Sequence, residues 1–118
     1  MTTETDRELL ELAARAAGIE YDPEKSKPHP VSGAWHGLWL VYRREPSEYD
    51  RRYWHPLTDD GDALRLMTKL NLHVTSSSTD AWVSALRITS IEPLGDDPYA
   101  ATRRAITRAA AEIGREMK

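Results

Sequence analysis

Cysteine and phenylalanine are both missing from this chain of 118 residues. Without cysteine there are no disulfides, no thiolate zinc sites and no thiol nucleophile. Without phenylalanine, aromatic packing rests on four Trp and five Tyr, whose polar atoms require partners once buried. No apolar run approaches the roughly 18 residues of a membrane span, and the N-terminus lacks the basic-then-apolar order of a signal peptide. A cytoplasmic protein with no membrane association is the expectation. Catalytic signatures are equally sparse. His29, His36, His55 and His73 are scattered, with no helix-spaced metal pair, and there is no glycine-rich phosphate loop. Ser76, Ser77 and Ser78 sit in an expected turn and lack the strand-to-helix elbow of a nucleophilic serine. The best catalytic grouping would join His55 with Asp59 and Asp62, which are neighbours in sequence but match no constellation of base, nucleophile and positioning group. The chain reads as a non-enzyme with no catalytic residues, no metal site and no cofactor.

What is present describes one soluble domain spanning 1–118, large enough to bury roughly two thirds of its unfolded surface. An apolar fraction of 40% and a charged fraction of 30% are ordinary for that class. The net charge of -3 argues against generic nucleic-acid binding. It is unevenly spread: residues 1–24 hold seven acids against Arg7 and Arg15, whereas residues 43–54 hold four arginines against three acids.

Local signals mark three helices. Thr5-Asp6-Arg7-Glu8 is a capping box; Leu9, Leu12, Ala13 and Ala16 recur at helical spacing, and Gly18 supplies the left-handed stop, with Ile19 folding back. Asp59 caps a second helix, with Asp62 three residues on as the reciprocal acceptor. Ala63, Leu64, Leu66, Met67 and Leu70 form its apolar face, and Asn71 ends it. Asp97 and Pro98 start the third, whose stripe is Tyr99, Thr102 or Arg103, Ile106, Ala110, Ile113 and Met117. Its arginines Arg104, Arg108 and Arg115 lie on the solvated side. Between the helices, Trp35–Arg43 reads as a central strand covered on both faces, with Gly37 at a bulge or close approach. Leu72 and Val74 open a short strand, and Ala81–Ile91 a second, with Trp82, Leu86 and Ile88 on its inner face; the two form a hairpin. The proline-bearing stretches 20–34 and 44–58 are expected to be irregular, the first an extended surface connector.

Two stretches invite functional readings. Asp59, Asp60 and Asp62 around Gly61 have the composition of a magnesium or calcium site, but lack the alternating acids and distal glutamate of a calcium loop, and capping accounts for them. The run Tyr49–Trp54 interleaves guanidinium groups with aromatic rings. Arg43, Arg44, Arg51, Arg52, Tyr53 and Trp54 thus form the candidate binding surface, with rings for base stacking and arginines for phosphate. The opposing reading pairs Arg51 and Arg52 with Asp50 and Glu48 while Tyr53 and Trp54 pin the loop to the core.

The motif Trp54-x-Pro56-Leu57-Thr58-Asp59-Asp60-Gly61-Asp62-Ala63-Leu64-Arg65-Leu66, followed by Lys69-Leu70, resembles the phage ABA sandwich domain family of small bacteriophage and prophage proteins. The segments 8–19 and 101–115 resemble its first and last helices. His55 stands where that family usually has asparagine, and Asn71 where it usually has glycine. The resemblance implies an α+β fold in which three helices sandwich a short, mainly antiparallel three-stranded sheet. It implies a phage origin and supplies no mechanism. The expected role is a phage accessory protein in the host cytoplasm, a protein-interaction module that self-associates, with a dimer first in line. The alanine-rich last helix would pair with its copy, and an unidentified host or phage protein would be the target. Nucleic acid is the alternative partner.

Overall fold

The computed structural model describes residues 5–48, 50–85 and 88–117. Three helices, α1 (Asp6–Ala17), α2 (Asp60–Lys69) and α3 (Pro98–Glu116), combine with six short strands: β1 (Tyr21–Asp22), β2 (Leu38–Leu40), β3 (Tyr53–Trp54), β4 (His73–Ser76), β5 (Asp80–Ala85) and β6 (Ile88–Pro93). The class is α+β, as expected. The strands, however, form two antiparallel three-stranded sheets, ordered β1-β2-β3 and β4-β5-β6, instead of one.

The helix ends follow local chemistry. Thr5 accepts the Glu8 amide at 3.1 Å, and Gly18 sits at φ 71 while Ile19 N–H donates to Ala14 O at 2.9 Å. Asn71 repeats this at φ 54, with Leu72 N–H donating to Met67 O at 3.0 Å. Asp97 accepts the Tyr99 and Ala100 amides, each at 3.1 Å. Each of these closes orphan backbone groups at a helix terminus.

The core gathers around α3, which packs on α1, α2, β5 and β6. Its buried face is Ala101, Ala105, Ile106, Thr107, Ala109, Ala110, Ala111 and Gly114. Tyr99 and Met117, expected in the stripe, are exposed. Small residues let α1 approach so closely that a Cβ on Gly114 would stand 1.9 Å from Leu12 O. Most of these alanines are therefore packed within the chain.

Several expectations change. In α2, Leu64 is exposed, and burial rests on Ala63 and Leu66 with Met67 and Leu70 half-covered. The strand expected over Trp35–Arg43 shrinks to the three residues of β2, although it is central as expected; Val41 is exposed. Gly37 lies at φ 110 with its Cβ position 2.4 Å from Trp54 O, so the expected close backbone approach is present. The proline-bearing stretches contribute β1 and β3, two-residue strands whose sequence signal is too brief to read. Ala81–Ile91 divides into β5 and β6, and the inner face is Ala81 and Val83, not Trp82. Leu86, expected beside Trp82, lies outside the described residues. The β4–β5 hairpin forms as expected, closed by Ser77 N–H donating to Asp80 O at 2.9 Å.

Ser26 anchors the stretch 20–34. It is fully buried, donates to Asp22 O at 2.6 Å, accepts the Trp39 amide at 2.8 Å, and its carbonyl takes Trp35 Nε1 at 2.7 Å. The stretch runs over the surface, as expected, and Ser26 fastens it to β2.

Candidate functional site

The motif between β3 and α2 is built around a buried carboxylate. Trp54 is 4% exposed, and Pro56 and Leu57 are buried beside it. Asp59 caps α2 as expected, its Oδ2 accepting the Asp62 amide at 2.8 Å. Asp62, only 2% exposed, does not reach back to Asp59; its Oδ2 accepts the His55 amide at 3.0 Å instead. The reciprocal bond fails because the Asp59 amide already donates to His55 O at 2.9 Å. Arg65 closes on Asp62 Oδ1 at 2.8 Å, and Arg51 lies 3.3 Å from Asp59 and 3.5 Å from Asp62. A Cβ on Gly61 would crowd Arg65 and Asp59 at 3.1–3.3 Å. Asp60 points away to Arg103, at 2.6 Å, while Arg103 Nε donates to Leu57 O at 2.8 Å. Arg103 thus clamps the whole motif to α3, a role its place in an apolar stripe did not disclose. Asp59 and Asp62 share Arg51 and Arg65, while Asp60 diverges onto Arg103. Among the described residues, no three His, Cys, Asp or Glu side chains group as metal ligands.

His55 packs its ring 4.9 Å from Trp35, with Nδ1 buried and without a hydrogen-bond partner. Burial pushes the imidazole below its ordinary value, against the opposing pull of Asp6 and Asp62. It touches Asp62 through its backbone, so the His55–Asp59–Asp62 grouping has no imidazole–carboxylate bond on which acid–base chemistry would run.

The loop 43–54 does not come together as a nucleic-acid surface in the expected form. Arg43 pairs with Glu20 through Nε at 2.9 Å, Arg44 grips Asp50 at 2.8 and 2.9 Å, and Arg51 serves the aspartates of α2. Neither Asp50 nor Glu48 is the partner of Arg51 or Arg52. The Arg44 guanidinium beside Asp50 holds that carboxyl well below the usual carboxylate range. Trp54 is in the core, and Tyr49 lies outside the described residues. The arginines all stay on the surface, but among the described residues Arg52 alone of the four has no carboxylate partner: it lies over the Trp39 ring at 5.1 Å, and exposed Tyr53 meets Trp39 edge-on at 5.3 Å. The α3 arginines are also engaged, Arg104 with Asp6 at 3.1 Å, Arg108 with Glu92 and Arg115 with Glu112 at 3.4 Å.

Two concavities flank the first sheet. A broad groove of about 620 Å³ runs from Gly18 and Ile19 past Tyr42 and Arg51 to Lys69, and mixes both signs of charge. A smaller one of about 300 Å³ is lined by Lys25, Lys27, His29, His36, Trp35 and Tyr53 among others, with no carboxylate. The second sheet turns outward Thr75, Trp82 and Ile91 as one cross-strand row, and His73, Ser84 and Thr89 as the next. Trp82 and Ile91 are 45% and 43% exposed. No helix among the described residues is long and apolar enough to cross a membrane. No family model, curated protein or solved structure matches the chain.

Proposed function

We propose that the protein is a non-enzymatic interaction module that self-associates through the outer face of its second sheet. The observation that carries this reading is the Trp82–Ile91 pair, two large apolar side chains directly opposite one another on β5 and β6 and left uncovered by any helix. Around them stand Thr75, Ser84, Thr89 and Pro93, with Asp80 the one carboxylate of that face among the described residues. Depletion of charge around an aromatic anchor is the composition of interface centres. A surface with so little charge is self-compatible: two copies related by a two-fold axis bring no like charges together beyond Asp80. A second copy is therefore the occupant, and a dimer the simplest assembly. The likeness of segments 54–66 and 101–115 to phage ABA sandwich proteins supports placing this module among phage or prophage accessory proteins of the host cytoplasm.

Sedimentation velocity across a concentration series tests the reading. The wild type is expected to shift from monomer to dimer, and Trp82→Ser with Ile91→Ser to remain monomeric with an unchanged circular dichroism spectrum. A wild type that stays monomeric up to its solubility limit overturns it.

A further inference from the structure

We propose that the outer face of the first sheet, with the small groove beside it, binds single-stranded nucleic acid. This surface is separate from the self-association face; it keeps Arg52 and Tyr53 of the arginine loop and replaces the rest with Lys25, His36 and Trp39. Its centre is Trp39, over which lie two cations, Lys25 Nζ at 5.2 Å and the Arg52 guanidinium at 5.1 Å. Among the described residues, neither Lys25 nor Arg52 forms an ion pair. Arg43, Arg44 and Arg51 all do. The charge on this face is held in place by rings; Asp22, the cross-strand partner of Trp39, shares the face, but its Oδ1 accepts the Glu24 and Lys25 amides and pairs with neither side-chain cation.

The rings form a continuous path. Tyr53 meets Trp39 edge-on, and His36 lies 5.2 Å from Tyr53. At the other end Arg52 also covers the Tyr42 ring at 5.7 Å. Where the path reaches Tyr53 it opens into the groove of about 300 Å³, whose lining contributes Lys25, Lys27 and His29. Lys27 shares its charge with Glu24 at 3.0 Å, an exposed pair that solvent screens. His29 Nδ1 accepts the Val31 and Ser32 amides, each at 3.2 Å, so the neutral ring keeps its proton on Nε2 as a donor.

Unneutralised cations alternating with exposed rings and guanidinium planes are what an unpaired strand requires. Its phosphates need positive charge, and its bases have faces to stack. An acidic peptide would use the cations and leave the rings idle. A duplex hides its base faces, and the groove is too small to admit one. The path is long enough for a few nucleotides, which limits the site to short contacts and modest affinity.

Fluorescence anisotropy of labelled single-stranded oligothymidine and oligouridine, beside a duplex of equal length, provides the test. Single strands are expected to bind and the duplex to bind more weakly. Affinity should fall with salt at a logarithmic slope of about 0.7 per phosphate neutralised. Lys25→Gln with Arg52→Gln should lower that slope by about 1.4. Tyr53→Ala should weaken binding about fivefold or more while leaving the slope in place, because it removes stacking and no charge. Arg43→Gln with Arg44→Gln, at guanidiniums already paired, should change affinity less than twofold. Circular dichroism checks that each variant is folded. Absence of binding at low salt, a preference for duplex, equal displacement by polyglutamate, or unaltered binding by the Lys25/Arg52 variant each overturn the proposal.

Discussion

Asp62 receives donors from three directions: the His55 amide, Arg65 and, more distantly, Arg51. Asp59 accepts the Asp62 amide at the helix start and lies nearer the surface. Asp59→Ala is therefore expected to cost about 0.5–2 kcal/mol, the usual loss of a cap. Asp62→Ala should cost about 1–3 kcal/mol from the stranded His55 amide, with little added by Arg65, whose exposed side chain keeps Asp59 at 3.8 Å. Urea denaturation of the two variants checks the order. Protonation of His55 is opposed by burial, so the unfolded chain takes up the proton first. Stability should fall as pH drops from His55's ordinary value of about 6.5 to its lowered folded value, and the His55 contribution should be flat below that. His55→Asn should remove this step in the pH dependence of the melting temperature. The loss of stability from Asp59 should remain, at lower pH, because its carboxyl is lowered chiefly by the Asp62 amide.

Glycine serves the helices in two physically different ways, ending one and letting two come close. Gly18 has positive φ and nothing within 4 Å of its Cβ position, so Gly18→Ala should cost only the conformational penalty of about 1–2 kcal/mol. Gly114 has an ordinary helical backbone but faces Leu12 O at 1.9 Å, so Gly114→Ala must push α1 away from α3. It should cost at least about 3 kcal/mol, at the upper end of overpacking effects. Thermal melts of the pair would reverse the order if α1 and α3 were not in contact. The second sheet obeys the same geometry. An alanine-lined α3 comes close to β5 and β6 and leaves room inside for Ala81 and Val83, so the larger Trp82 is turned outward. Reading the largest side chains as the inner set inverts the sheet for that reason.

For the molecule as a whole, salt separates the two proposed surfaces. An assembly through Trp82 and Ile91 has few charges to screen and should persist as sodium chloride is raised, whereas oligonucleotide binding at Trp39 should decline steeply. Sedimentation and anisotropy at matched salt concentrations read both on one preparation. Joint loss or joint survival would mean that the two faces are not independent. The capping residues Thr5, Gly18, Asp59, Asn71 and Asp97 were legible in the sequence because each acts on backbone groups within five residues of itself. The same is true of the β4–β5 turn, whereas Gly37, marked by the strand pattern as a bulge or close approach, meets Trp54 O on another strand. The division into two sheets, the inward face of β5, the anchoring of 20–34 by Ser26 and the clamp of Arg103 on Leu57 and Asp60 were decided by tertiary structure. So was the neutralisation of Arg43 by Glu20, and with it the shift of the basic surface to Lys25 and Arg52. In each of these the partners lie far apart in sequence, and no local periodicity records which of them the chain will bring within reach.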